Sequence, residues 1–176
     1  KHINEYNEQR KDIDKQMTEE ANLIVSRLET QKHNSSIVLY DEGWKKGVIG
    51  IVASRLTEIY FRPTVVLTRD GDLATGSARS VTGFDVYSAI KSCRDLLINF
   101  GGHTYACGLT MKWENVKEFR DRFHQYVAEH IAPEQTEAML NIDAMIDFKD
   151  ITKQLHADLK KFSPFGPCNP KPVFCT

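Results

Sequence analysis

Between Ile37 and His130 the chain alternates short, partly β-branched apolar runs with longer stretches whose apolar residues recur at helical spacing, and this alternation constrains the fold most. Ile37-Val38-Leu39-Tyr40 and Thr64-Val65-Val66-Leu67-Thr68 read as buried strands. Between them, Ile49, Val52, Ala53, Leu56 and Ile59 make one helix face over Val48 to Tyr60, with Pro63 just past its end. Asp70-Gly71 is a turn signal, so Leu73 to Ala78 is expected to return antiparallel as a hairpin partner. Asp85 is a candidate N-cap for a second helix carrying Val86, Ala89, Ile90, Cys93, Leu96 and Leu97, which Gly101-Gly102 would close. Gly108 to Lys112 has strand character, and Val116, Phe119, Phe123, Tyr126 and Val127 line a third helix from Asn115 to His130. The expected class is α/β: a mixed β-sheet flanked by helices, its antiparallel part supplied by the hairpin of the 70s.

The flanks read differently. Residues 4 to 31 form an expected linker helix with a sparse apolar stripe at Tyr6, Ile13, Met17, Ala21, Ile24 and Leu28. Its polar first half cannot bury enough surface alone and must lean on a neighbour. A polar break from Gln31 to Ser36 follows it, and Ala132-Pro133-Glu134 marks a boundary after the third helix. Beyond lie a strand-like Leu140 to Phe148, a helix around Ile151 to Phe162, and a loop rich in proline at 164, 167, 170 and 172. Val173-Phe174-Cys175 begins a strand whose pairing partners are expected to be missing. The expected division is a linker helix at 1–31, the α/β domain at 32–134, and an incomplete segment at 135–176. Lys1 to Glu5 lack an initiator Met and a secretory pattern, so the chain is expected to begin inside a longer protein.

Hydrophobic residues at 41% and charged residues at 27% fit a water-soluble globular chain, and no apolar run nears the length of a membrane span. A net charge of −1 leaves no global electrostatic footprint for a polyanion, so any such binding must come from local placement of charge. Cys93, Cys107, Cys168 and Cys175 show neither CxxC pairing nor zinc-finger spacing, and are expected to be free thiols in a reducing cytoplasm.

Three segments carry candidate chemistry. Gly76-Ser77-Ala78-Arg79-Ser80 combines a small residue, two hydroxyls and a guanidinium, whose planar donors suit phosphate oxygens while Ser77 and Ser80 add hydrogen bonds. The same residues would equally serve a salt bridge of Arg79 and a turn satisfied by the serines. In Gly101-Gly102-His103 one glycine suffices for a helix C-cap. The second opens the backbone N–H groups to a ligand, with His103 beside them as a phosphate donor or a stacking surface. Lys45 and Lys46, just before the helix near Val48, add charge to a helix start that attracts anions, unless they are simply solvated. Other motifs fail: Gly47-Val48-Ile49-Gly50 suits a buried helix face, and neither GxGxxG nor a P-loop is present. His124 and His130 lack HExxH, and Asp143 with Asp147 has no partner His, so no metal site is expected in the chain.

Taken in order, Gly47 to Leu56, Arg62-Pro63, Gly76 to Ser80, Phe100-Gly101-Gly102-His103 and Ala106 to Thr110 resemble the DHHA1 domain of RecJ-type single-strand DNA exonucleases. Pro164 to Phe174 resembles the segment leading into the OB-fold region of that family. Two positions depart: the family often has His where Lys45 stands and Ala where Cys107 stands, changes that keep positive charge and small size. The resemblance implies a 5′-to-3′ exonuclease of recombination and repair, with single-stranded DNA as partner and a single-strand-binding protein as a further one. It also implies an N-terminal DHH domain, absent here, that holds Mn2+ or Mg2+ and hydrolyses the phosphodiester. By that resemblance Ser77 and Arg79 hold substrate phosphate while Gly101, Gly102 and His103 line the cleft; the chain alone is expected to be inactive. Two alternatives stay open: a DHH/DHHA1 phosphodiesterase for cyclic dinucleotides or short oligonucleotides, and a non-catalytic binding module.

Overall fold

The computed structural model describes residues 2–29, 35–138, 140–166 and 168–176. They divide into two compact units, Lys1–Glu137 and Ala138–Thr176. In the first, helix α1 (His2–Glu29) precedes strand β1 (Ile37–Asp41), α2 (Ile49–Tyr60), β2 (Thr64–Asp70) and β3 (Leu73–Arg79). Then come α3 (Val86–Ser92), β4 (Leu97–His103), β5 (Ala106–Lys112) and α4 (Val116–His130). The five strands form one mixed sheet in the order β1-β2-β3-β5-β4. Only β1 and β2 are parallel, because α2 carries the chain back across the sheet between them, whereas tight turns join β2 to β3 and β4 to β5. Gly71, with φ of 64°, supplies the left-handed residue of the first hairpin.

The two-residue period of the strands sorts side chains into two cores. Val38, Val65, Leu67, Ala74, Ala78, Leu109 and Met111 face α3 and α4, where Phe119 and Phe123 stack with centroids 5.8 Å apart. Ile37, Leu39 and Val66 face the other way, onto Val52, Ala53 and Leu56 of α2 and Met17, Ala21 and Val25 of α1. Fully burying such a side chain contributes about 1.5–3 kcal/mol. Gly76 is required by the first core, since a Cβ there would run into Leu67 and Leu109 of the two neighbouring strands.

Helix α1 joins the core only from Ile13 onward. Tyr6 is 69% exposed, whereas Met17 and Ala21 are buried. Asp14, also buried, accepts a 2.7 Å bond from Arg55 Nη2 of α2. The side chain of Leu28 and residues 31–34 of the polar break lie outside the described residues. Asp85 caps α3 as expected, accepting from the N–H groups of Tyr87 and Ser88; its bond from the Ser88 hydroxyl holds the carboxyl below its ordinary range.

Three expectations need correction. The second helix does not run on to Gly101-Gly102: α3 stops at Ser92, a 3-10 turn covers Arg94–Leu96, and Leu97 starts β4. Arg122 pins that turn through Asp95, with bonds of 2.7 Å to each carboxylate oxygen, and Asn115 Nδ2 donates to Leu96 O. In the second unit the expected strand over 140–148 shrinks to β6 (Ala144–Met145), followed by a 3-10 turn at Phe148–Asp150 and α5 (Lys153–Lys160). The final strand, β7 (Phe174–Cys175), does find a partner, pairing parallel with β6. Pro167 of the proline-rich loop lies outside the described residues.

One part-buried contact makes stability depend on pH. His124 of α4 shares a 2.6 Å hydrogen bond with Ser36, at the entry to β1. Burial, assisted by Arg120 and opposed by Asp121, pushes the imidazole down to about 4 from an ordinary 6.5. Between those values the unfolded chain binds the proton that the folded chain refuses. This contribution is therefore complete above pH 6.5 and lost as pH falls toward 4, by up to about 3 kcal/mol. Urea unfolding between pH 7 and pH 4 is expected to show a loss of stability that His124→Gln flattens; an equally steep loss in the variant would refute the assignment.

Candidate nucleic-acid interface

The segment Gly76 to Ser80 is not a loop. Gly76 to Arg79 lie within β3, and only Ser80 follows it. Strand alternation therefore turns Ser77 and Arg79 to the α2 side of the sheet, while Gly76 and Ala78 face the α3–α4 core. Arg79 is half-buried and fixed by its own surroundings. Its Nε donates to Ser54 Oγ of α2 at 3.1 Å, and Nη1 donates to Ser77 Oγ and to the Ala78 carbonyl, both at 2.8 Å. Gly50, in the first turn of α2, makes room: a Cβ there would stand 3.0 Å from Arg79 Nη2 and 3.2 Å from Ser77 Oγ.

Among the described residues no carboxylate pairs with Arg79, so the salt bridge that would give it a purely structural role is not made. Burial pushes its pKa below the ordinary arginine value, yet a guanidinium keeps its proton at neutral pH. The result is a positioned cation whose neighbours are neutral. Ser80 is committed differently, its hydroxyl donating to Phe84 O at 2.7 Å and its N–H to Tyr105 O at 3.0 Å.

The ladder places the other candidate segment in the same rows. Arg79 pairs with Ala106 of β5, which pairs with His103 of β4; one row along, Ser77 pairs with Gly108, which pairs with Gly101. These six residues share the face that α2 covers over β2 and β3 but leaves open over β5 and β4. Neighbouring strands lie about 4.8 Å apart, so Arg79 and His103 stand about 10 Å apart on either side of a strip of glycine and alanine.

The two glycines of β4 differ in purpose. Gly102 has φ of 154°, and a Cβ there would collide with Ala106 O and Cys107 Cα, so the turn itself demands glycine. A Cβ on Gly101 would meet nothing within 4 Å, and one on Gly108 only Gly101 O at 3.9 Å. The fold does not require glycine at either position; their effect is a bare backbone surface that a ligand can approach closely. His103, exposed at the hairpin end, accepts from Tyr105 N–H through Nδ1 at 3.2 Å. In the neutral ring that bond leaves the proton on Nε2, free to donate.

Lys45 and Lys46 lie in the turn leading into α2, anchored by Trp44. The indole of Trp44 donates to Glu20 of α1 at 3.1 Å, and its carbonyl accepts from Thr68 of β2 at 2.7 Å. Lys46 Nζ is 3.2 Å from Asp70, an exposed pair, while Lys45 has no ion pair among the described residues. The Lys45 carbonyl accepts from Val48 and Ile49, which occupies two of the amides that the helix start would offer an anion. The sequence reading missed Gly50 and Ser54. Their signal was a pair of small residues four apart on one helix face, which lets a strand's long side chain lie against the helix.

Residues 20–129 match the DHHA1 domain family, and residues 142–176 match the RecJ OB domain. The chain is 37% identical over 172 residues to the single-stranded-DNA-specific exonuclease RecJ of Bacillus subtilis, covering 97% of this chain and 22% of that protein. To the RecJ of Escherichia coli it is 30% identical over 175 residues, covering 96% and 30%. The crystal structure of RecJ in complex with Mg2+ from Thermus thermophilus superposes with a TM-score of 0.83 at 26% identity, over 98% of this chain and 26% of that one. The chain thus spans less than a third of the length of each of these relatives. The mixed sheet flanked by helices agrees with the class read from the sequence, and with a family model covering more than half of its residues the chain belongs to the DHHA1 family, in the DHHA1-and-OB form found in RecJ.

Proposed function

We propose that this chain is the strand-gripping, cleft-closing part of a RecJ-like exonuclease that digests single-stranded DNA from 5′ to 3′ in recombination and repair, in the cytoplasm. The observation that carries the reading is Arg79: a guanidinium without a carboxylate partner among the described residues, braced by Ser54 and Ser77 at the border of a bare glycine and alanine strip. A phosphodiester lying on that strip meets a fixed cation on one side and the His103 imidazole on the other. Because Arg79 is braced before the strand arrives, little side-chain freedom remains to be lost on binding. Lys45 supplies exposed, long-range attraction from the turn before α2, with Lys46 sharing its charge with Asp70. Gly102 holds the hairpin geometry, and Ser80 ties β3 to the turn at Tyr105.

Bond cleavage is assigned to an N-terminal DHH domain of the same protein holding Mn2+ or Mg2+, ions that activate water and offset charge developing on phosphoryl oxygens. Among the described residues no three His, Cys, Asp or Glu side chains converge on a point, so the residues present do not fit those ions. We read 1–31 as the linker to that domain, 32–134 as the gripping domain and 135–176 as the lead-in to an OB fold. The match of 142–176 to the RecJ OB domain favours long single strands over cyclic dinucleotides. A single-strand-binding protein is a further proposed partner. No helix among the described residues is long and apolar enough to cross a membrane.

In the whole enzyme Arg79→Ala is expected to slow digestion of single-stranded DNA about tenfold or more, and to flatten the dependence of affinity on salt by about one phosphate contact. Wild-type turnover with an unchanged salt slope would refute the grip. Gly101→Val is the complementary test: melting temperature is expected to hold or rise, because the fold leaves space for the side chain, while affinity for the strand collapses. A variant that binds normally would show that the strip is not the seat of the strand. The 176-residue chain alone is expected to leave single strands undigested in Mn2+; digestion by a rigorously purified preparation would contradict the division of labour.

A further inference from the structure

The hairpin joining β4 to β5 ends in a two-residue turn, Thr104-Tyr105, which presents the Tyr105 ring. Tyr105 is 52% exposed, although burying its ring would be favourable. Its backbone, by contrast, is held on three sides. Tyr105 O accepts from Ser80 N–H at 3.0 Å, Thr104 O accepts from Val86 N–H at 3.0 Å, and Tyr105 N–H donates to His103 Nδ1 at 3.2 Å. The Tyr105 and His103 rings meet edge to face, with centroids 6.4 Å apart and planes at 68°. Such a pair engages the edge of one ring and one face of the other, so it covers at most one face of the Tyr105 ring.

Tyr105 also adjoins the phosphate grip. It precedes Ala106, the cross-strand partner of Arg79, and its carbonyl bonds to Ser80, the residue after Arg79. A rigidly mounted, half-exposed aromatic beside a fixed cation is the pairing that single-strand binders use, stacking a base on one and holding its backbone with the other. We propose that Tyr105 is a base-stacking platform, taking the base of a nucleotide whose phosphate Arg79 holds. The inference rests on the strip being the seat of the strand and adds what the phosphate contacts lack, a contact with the base.

The test is equilibrium binding of oligo(dT), and of an abasic strand of equal length, to the 176-residue chain at low salt. Tyr105→Ala is expected to weaken oligo(dT) binding about tenfold and leave the abasic strand unaffected, with Tyr105→Phe binding oligo(dT) as the wild type does. In Tyr105→Trp, indole fluorescence is expected to be quenched by oligo(dT) and not by the abasic strand. If Tyr105→Ala binds oligo(dT) normally while Arg79→Ala binds weakly, the platform is overturned and the grip stands. An equal loss on both strands overturns it too, because the ring then acts without a base. If neither variant loses affinity, the seat of the strand is wrong and the platform falls with it.

Discussion

Everything that positions the interface depends on the alternation of one strand. β3 lies in the middle of the sheet with a partner on each side, so its register is fixed twice, by β2 and by β5. Gly76 must be small where Leu67 and Leu109 press in from the neighbouring strands, and Ala74 and Ala78 are buried on the same face. With those three facing the α3–α4 core, Thr75, Ser77 and Arg79 have only the opposite face available. A slip of one residue would bury a guanidinium in the apolar core, at a cost of several kcal/mol for an unpaired charge. The core therefore determines where Arg79 points, and α2 adds the small residues Gly50 and Ser54 that receive it.

The same economy explains the open strip. Helices α1 and α2 cover β1, β2 and β3 on their side, and two strands remain beyond them. Uncovered strands of a soluble domain ordinarily carry polar side chains on the wet face. Here Asn99, His103, Thr110 and Lys112 supply them, but Ala106, Gly108 and Gly101 fill the rows beside Arg79 and Ser77, and neither glycine is demanded by steric contact within the chain. Strand entropy argues against such residues, which destabilise a sheet relative to larger ones. The proposed seat for a strand accounts for residues that the fold itself does not demand.

Much of the scaffold was legible in the sequence because local pattern and tertiary role coincide there. Ile37 to Tyr40 and Thr64 to Thr68 are partly β-branched runs that become strands, buried except at Tyr40, and Asp85 announces a cap that the structure contains. Leu96 and Leu97 misled, since they continue a helical period that α3 abandons at Ser92; long-range bonds from Arg122 and Asn115 hold the turn that ends it. Gly101-Gly102 looked like a helix stop because glycine carries no strand signal, and only pairing with Gly108 and Cys107 makes it strand. Ser77, Arg79, Gly101 and His103 were visible as residues, but not as adjacent rows of one face, because that adjacency is a property of sheet order. Gly50 was read only as part of a buried helix face and Ser54 was given no role of its own, because their contact with Arg79 exists only once α2 lies on β3.

The central claim, that the strand lies on the open face of β3, β5 and β4, is tested most directly by mapping backbone amide chemical shifts during a titration with oligo(dT). The account predicts that the largest changes cluster at Ser77, Arg79, Gly101, His103, Ala106 and Gly108, rows of residues that are neighbours only in the sheet. Changes concentrated on α4 or at the Lys112 end of β5, with those six amides unmoved, would contradict it.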